Sequence, residues 1–441
     1  MSASFGTSTP SVRAPVWGGF LTIAAMRRVL AAYRDAYSGL PRATWVLAAV
    51  CFVNRCGTMV LPFLMLYLTS QRGFSPAAGG VVVSLYGIGA GVGAFCGGVL
   101  TDRMGAKRVQ VASLAFAGLG FLLLGQLRAP LWIQLAAFAL GAVNESFRPA
   151  NGAAFAAAVR PEQVTQALTL RRLALNLGMS CGPVLGGFLA ARDYSWLFVV
   201  DGGTCLLAAA LLAALDRSRA PALPTASEAA AATSPWSDGA FLTLLVLVAG
   251  HATVLYQFFS TYPLALHELH GLPEPQIGSI YLINTLLIVA LEMVLVRRLA
   301  PAAPLRVAAW GMLLFAGGFA LLPLGRGYAF VAATVVVWTF GEMLTMPFLE
   351  TVAAGRGDAR SRGRYLGAFN LAYSVSFAGA PALGAWIYQR FGAVPLFAGI
   401  GVVGVVLWLA LRTLSPRLSR RRTGGTDAAA AAVAVLAPPA P

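Results

Sequence analysis

The sequence predicts an all-α integral membrane protein of twelve transmembrane helices, and three observations carry that prediction. Of 441 residues, 58% are hydrophobic and 11% are charged, against about a quarter charged in an ordinary soluble domain. Twelve apolar runs are each long enough to cross a hydrocarbon layer about 30 Å thick. The basic residues are divided unequally by those runs: 26 of the 32 Lys and Arg fall on one side, five (Arg72, Arg128, Arg192, Arg326 and Arg390) fall on the other, and Arg55 lies inside the first run. Backbone groups in lipid must be satisfied within the span, which selects helices for runs of this length. The charge imbalance predicts a multi-pass protein with both termini in the cytoplasm, and the near absence of lysine beside abundant Arg, Ala and Gly points to a GC-rich bacterial genome and so to a plasma-membrane location. The imbalance also makes the net charge of +16 a membrane collar, so nucleic acid is not an expected partner.

The elements follow in chain order. Residues 1–42 are a cytoplasmic segment in which 19–36 places Arg27, Arg28 and Arg34 after an apolar stretch. A signal peptide has the opposite order, and an interfacial amphipathic helix fits instead. Spans at 43–69, 76–100, 109–126, 130–157, 164–190 and 195–215 form an N-terminal six-helix half, 43–216. The Ala-, Pro- and Ser-rich residues 217–238 read as a flexible cytoplasmic linker. Spans at 239–265, 275–298, 305–325, 328–354, 363–388 and 392–413 form a C-terminal half, 239–413. Residues 414–441, with Arg420, Arg421 and Arg422, read as a disordered cytoplasmic tail. A weak internal repeat links the halves: the fifth span carries Arg172, Asn176, Gly182 and Pro183, and the eleventh carries Arg364, Asn370, Gly379 and Pro381. Two related halves with a site at their interface near mid-membrane are an arrangement used by secondary transporters. Pro62, Pro149, Pro347 and Pro381 interrupt spans where bending helices could serve such a cycle, or simply kink.

Between the second and third spans stand Gly98, Asp102, Arg103, Gly105, Lys107 and Arg108. The glycines permit close approach and a tight turn, Asp102 can face a helix amino terminus, and the three cations keep positive charge in the cytoplasm. This pattern resembles the signature loop of the major facilitator superfamily, and the resemblance extends over nearly all of residues 43–413. It implies the major facilitator fold, with two pseudo-symmetric six-helix halves and transport by alternating access. It further implies that Asp102 closes the inner face by meeting the start of the eleventh span near Gly363, making the loop a conformational latch and not a substrate ligand. The second half is not matched here: Arg297, Arg298 and Arg306 keep the charge without the glycines or the aspartate. Gly178, Gly182, Pro183, Gly186 and Gly187 are similar to the later part of the fifth-span motif of bacterial twelve-helix drug and metabolite antiporters, although Thr169 replaces its upstream glycine. Tight packing of small residues is the alternative reading. The arginine that such antiporters carry early in the fourth span is absent, the first basic residue there being Arg148.

Ionisable residues at membrane depth are costly and need a reason. Glu145 and Glu342 are the candidates for proton coupling, with Arg148, Arg172 and Arg55 as charged partners, because alternating desolvation and arginine pairing can make a carboxylate take and release a proton. Glu145, paired with Arg148 or Arg172 in one conformation of the cycle, is the first choice, and Glu342 is next. Asp201 and Glu292 read rather as structural polar groups, and a structural salt bridge or hydrogen bond is the alternative for every member of the set. Asn54, Asn176, Tyr256, Gln257, Asn284 and Asn370 are the substrate-cavity candidates, a mixed aromatic and polar set suited to an amphiphile. Packing is the alternative for the aromatics.

The five cysteines, Cys51, Cys56, Cys96, Cys181 and Cys205, all lie in apolar spans without metal spacing. His251, His267 and His270 are too few and wrongly spaced for a metal enzyme. No catalytic residues, metal or cofactor are therefore expected, and no phosphate-cradling loop points to ATP. The reading is a secondary active transporter, monomeric in the bilayer, that uses a proton or ion gradient to export drug-like or small amphiphilic metabolites. Proton-coupled uptake of a nutrient such as a sugar, peptide or organic acid is the alternative. The peptide version lacks its Glu-rich first-span signature, since 53–58 begins Val53, Asn54, Arg55. A membrane enzyme or sensor is the remote reading.

Overall fold

The computed structural model describes residues 39–160, 163–214, 234–357 and 361–419. The expected interfacial helix at 19–36, most of the linker and the end of the tail lie outside them. The first span is Arg42–Cys56 continued by Val60–Leu66 and a π turn, Tyr67–Gln71. The next five are Pro76–Met104, Ala106–Gln126, Pro130–Ala157, Val164–Ala190 and Ser195–Ala214. The seventh is Gly239–Leu255, which passes through the 3-10 turn Tyr256–Phe259 into Thr261–Glu268. The remainder are Glu274–Leu299, Pro304–Ala320, Tyr328–Arg356, Arg362–Phe391 and Ala393–Ser419. Ten of these twelve are long and apolar enough to cross a membrane by hydropathy. The fourth and eleventh are as long, but polar residues such as Asn144, Glu145, Arg148, Asn370 and Ser374 interrupt their apolar runs.

Local chemistry sets the ends. Pro76, Pro130 and Pro304 occupy first-turn positions where a missing N–H costs nothing, and Ser75 Oγ accepts from Ala78 N. Gly105 alone separates the second and third helices at φ +86, and Gly392 separates the eleventh and twelfth at φ +89. Other residues rarely adopt that backbone. The last helix continues to Ser419, so the chain beyond 413 begins as helix and not as tail. The first span breaks at Gly57–Met59 and not at Pro62, whereas Pro149, Pro183, Pro347 and Pro381 lie inside continuous helices.

Helix pairing repeats between the halves. The first span packs on the fifth and sixth, the second on the fourth, and the third on the fourth and sixth; the seventh, eighth and ninth do the same with the eleventh and twelfth, the tenth, and the tenth and twelfth. The register repeats as well, since Pro76 and Glu274, Ala106 and Pro304, Pro130 and Tyr328, Val164 and Arg362, and Ser195 and Ala393 are each 198 positions apart at helix starts. Large apolar side chains such as Phe95, Phe116, Phe188, Val246, Val375 and Val402 point outward, which suits a surface facing lipid.

Buried cores differ at the two ends. One cluster joins Phe63, Tyr86 and Phe121 of the first half to Tyr262, Tyr281, Phe319 and Trp338 of the second, on the side away from residues 98–108. On the loop side a second cluster, built from Phe241, Leu244, Phe348, Tyr365, Leu407 and Leu411, contains second-half residues alone. It is anchored by Asp238, the last residue of the expected linker. Its carboxylate accepts from the Phe241 N–H at 3.1 Å and from Arg356 Nε and Nη2 at 2.7 and 2.9 Å, tying the seventh span to the tenth. Burial disfavours the ionised carboxyl, but the hydrogen bonds from Arg356, Phe241 and Tyr365 outweigh it and hold Asp238 below the usual carboxylate range. Its stabilisation is present above the unfolded value near pH 4 and is lost as pH falls through the depressed folded value. Asp238→Ala, which takes the carboxylate away from a half-buried guanidinium, is expected to cost about 3 kcal/mol. Thermal melts in detergent should show the gap from wild type at pH 7 and its closure below about pH 4.

Candidate functional site between the two halves

One wall of the central site is built on a buried amide. Arg171 Nε donates to Asn151 Oδ1 at 2.6 Å, and Asn151 Nδ2 donates to Gln110 Oε1 at 3.3 Å and to Cys51 Sγ at 3.1 Å. This node joins the first, third, fourth and fifth spans. Arg55 lies one turn after Cys51, and Arg148 lies nearly one turn before Asn151. The first and fourth spans run in opposite directions, so both arginines sit about 5 Å from the node on its far side. Glu145 is on the same helix face as Arg148. Above them Asn144 Nδ2 donates to Tyr86 Oη at 2.9 Å. The charge of Glu145 reaches Tyr86 and also Tyr256 of the opposite half.

The opposing wall has the same design with different chemistry. Asn284 Nδ2 donates to Glu342 Oε2 at 3.0 Å and to Thr339 Oγ1 at 3.1 Å. Asn284 and Glu342 are separated by 58 residues, as are Tyr86 and Asn144, and each member lies 198 positions from its counterpart. The repeat thus sets a carboxylate in the second half where the first has a neutral amide. In the same half Tyr256 stacks on Phe377 with ring centroids 4.3 Å apart at 7°, and Tyr86 of the first half approaches Phe377 edge-on at 6.2 Å.

The structure places several candidates elsewhere. Arg172 is paired not with Glu145 but with Glu292 of the eighth span, Nη2 to Oε1 at 2.9 Å, and this ion pair crosses between the halves. Glu145 forms no ion pair with Arg148 either, among the described residues. Asn54 is buried against the sixth span, donating to Cys205 Sγ at 3.4 Å. Gln257 is fully used: its Nε2 donates to the Ala380 carbonyl at 2.8 Å and its Oε1 accepts from Thr261 and Ser260. It pins the break in the seventh span to the eleventh and has nothing left for a ligand. Asn370 is exposed and donates to the Leu366 carbonyl of its own helix, while the Asn176 side chain is half-buried without a hydrogen bond among the described residues. Asp201 accepts from the Met59 and Val60 N–H groups at 3.3 and 3.2 Å, capping the restart of the first span.

The fifth-span glycines are contact points. A Cβ on Gly178, Gly182 or Gly186 would run into Arg55, Thr58 or Met59 of the first span. One on Gly187 would strike the Glu274 carbonyl, and Gly278 approaches the Pro183 carbonyl in return. The stripe holds the first half together, and the adjacent position joins it to the second half.

The contacts between halves fix which side is closed. Along the second and eleventh spans they run from Ala77 N donating to Gln389 Oε1 at 2.9 Å, through Ala382 N donating to Ser84 Oγ at 3.0 Å, to Gly91 near Ser374. Tyr194 donates to Glu274 at 2.9 Å across the other pair of spans. These lie in the far half of the second span, at its middle or beyond, whereas the Arg172–Glu292 ion pair joins the halves on the loop side, between the fifth and eighth spans. Gly98, Gly363 and Gly367 have open space around them, and Asp102 is exposed without a hydrogen bond or ion pair among the described residues. Between the second and eleventh spans the far side is therefore sealed and the loop side has open space, and Asp102, the latch that the loop resemblance implies, meets no partner there among the described residues. Asp102→Asn is expected to slow turnover about tenfold while changing substrate Kd less than about twofold, given the typical coupling energies of conformational equilibria. Transport and equilibrium binding on the same preparation check it, and weakened binding at normal turnover would contradict it.

Sequence reasoning missed Tyr86, Asn144, Asn151 and Phe377. The first two were recoverable, because residues aligned at an interval of 198 show a polar pair recurring in both halves. The other two were not, since Asn151 and Phe377 acquire their roles from neighbours on other helices.

The family model of the Major Facilitator Superfamily matches residues 47–381. This chain belongs to the major facilitator superfamily. The transporter is 25% identical over 362 residues to multidrug resistance protein MdtH of Citrobacter koseri, covering 80% of this chain and 89% of that relative. With MdtH of Salmonella typhimurium the identity is 24% over 367 residues at the same coverage. Solved structures of similar fold include a POT family transporter in complex with 5-aminolevulinic acid, with TM-score 0.74, 15% identity, and coverage of 87% of this chain and 98% of that one. The nucleoside transporter NupG is another, with TM-score 0.69, 13% identity, and coverage of 85% and 100%. At such identities the likeness is one of fold. The chain is a multi-pass membrane transporter of small molecules, not an enzyme.

Proposed function

We propose that this transporter exports small amphiphilic, drug-like molecules from the cytoplasm in exchange for protons, by alternating access of the central site. The observation that carries the reading is the composition of that site: an aromatic stack, Tyr256 on Phe377, that meets Tyr86 of the first half, and two carboxylates, Glu145 of one half and Glu342 of the other, neither of them in an ion pair among the described residues. Aromatic faces accept varied apolar bodies, and a carboxylate without a fixed counter-charge is available to a proton or to a cationic group. Curated relatives named multidrug resistance proteins along four fifths of the chain support export. The distribution of 26 of 32 basic residues supports a cytoplasmic loop side and cytoplasmic termini. The open side then faces the compartment from which an exporter loads. The ion gradient is the driving force, no cofactor takes part, and one chain suffices.

Purified protein in proteoliposomes with an imposed pH gradient tests the reading, using amphiphilic dyes and common nutrients. Dye movement opposite to the proton flux is the expected result. Movement of dye or nutrient along with protons would establish the uptake alternative. Persistence of pH-driven transport in Glu145→Gln would remove that residue from the coupling step.

A further inference from the structure

Three arginines from three spans converge on the first-half wall of the central site. Arg171 is held by its Nε bond to Asn151 at 2.6 Å, which leaves the outer fork of its guanidinium available. Arg55 and Arg148 stand one turn beyond the Asn151 node, at a common depth, and neither has a hydrogen-bonded or ionic partner among the described residues. Close packing fixes Arg55 there, because a Cβ on Gly178 of the fifth span would fall against the Arg55 Cβ. The charges of Arg55 and Arg148 both act on Arg171. Glu145 is a single negative charge beside these three positive ones, and Arg172 is already committed to Glu292.

Gathering three like charges at membrane depth beside a single carboxylate is expensive, and an anion that enters the site recovers part of that cost. Guanidinium forks match the two oxygens of a carboxylate or the oxygens of a phosphonate. Tyr86 meets Phe377 edge-on at 6.2 Å and accepts from Asn144, one turn before Arg148, so the aromatic stack of the opposite wall adjoins the cationic one. We infer that Arg55, Arg148 and Arg171 form a subsite for the anionic end of an amphiphilic substrate, a carboxylate, phosphonate or sulfonate whose apolar body lies on Tyr256 and Phe377. The inference rests on reading the central site as the transport site. It narrows the substrate class from amphiphiles in general to those that carry an acid group, with Glu342 left to a proton or to a cationic group at the other end.

Equilibrium binding to the full chain in nanodiscs, with 2-naphthylacetate and 2-naphthylethylamine as ring-matched acid and amine, tests it. Wild type should bind the acid more tightly than the amine. Arg55→Gln and Arg148→Gln should each weaken the acid about tenfold or more, the scale of a lost charge-assisted contact, and change the amine less than about twofold. Arg148→Lys should recover part of the loss, which a purely structural arginine would not show. Failure of wild type to bind the acid, unchanged acid binding in both glutamine variants, or equal weakening of acid and amine would overturn the subsite. Acid-selective binding without proton-driven transport would instead sink the exporter reading and leave the subsite standing.

Discussion

Glu342→Gln is expected to abolish proton-driven accumulation of substrate while sparing exchange of substrate down its own gradient. With one proton exchanged per molecule, each unit of pH difference supports about tenfold accumulation. In the variant that ratio should fall to about one. Glutamine keeps the shape of the side chain and an oxygen to accept from Asn284 Nδ2, now at 3.0 Å, but it carries no exchangeable proton. The molecule itself indicates that the substitution will fold, because the repeat already places an amide, Asn144, at the equivalent position of the first half, bonded to Tyr86 at 2.9 Å. Accumulation and counterflow measured in the same proteoliposomes separate coupling from substrate binding. Accumulation in the variant that matches wild type would move the coupling step away from Glu342.

Asp201→Leu should produce the largest loss of stability among single substitutions outside the central site. The buried carboxylate satisfies two N–H groups, those of Met59 and Val60, where the first span restarts after its break. A leucine would leave both donors without an acceptor in a dry interior, at about 1–3 kcal/mol each. The expected total is roughly 2–6 kcal/mol, read as a lower melting temperature in detergent and poor recovery of the monodisperse protein. Asp201→Asn, which retains one acceptor oxygen, should recover a large part of the difference. If the leucine variant melts at the same temperature as wild type, the cap contributes nothing to stability.

The helices were legible in the sequence, with ends within a few residues except the last, which runs on to Ser419. The signals are local: an apolar run long enough for the bilayer, proline at the first turn of the second, fourth and ninth helices, and glycine at 105. The signature loop was legible for the same reason, being one short segment with its own chemistry. Asp201 and the fifth-span glycines were legible as structural or packing features, though not with their partners. Three assignments needed the assembled molecule. Arg172 meets Glu292, 120 positions away, Gln257 meets Ala380, 123 positions away, and Asn54 turns to Cys205, 151 positions away.

Hydrophobic length, charge position and short motifs all act along the chain, and they suffice to establish a membrane protein of two six-helix sets. They also suffice to say which side carries the positive charge, and to show the resemblance to the major facilitator superfamily. Which polar groups face the central site, which are consumed as caps and clamps, and which side is sealed became visible only with the helices assembled. Spans that are apolar around most of their circumference carry little periodic signal of orientation. The face each helix presents is therefore set by glycine contacts and buried hydrogen bonds with helices distant in sequence, and the chemistry of the site is settled by that packing.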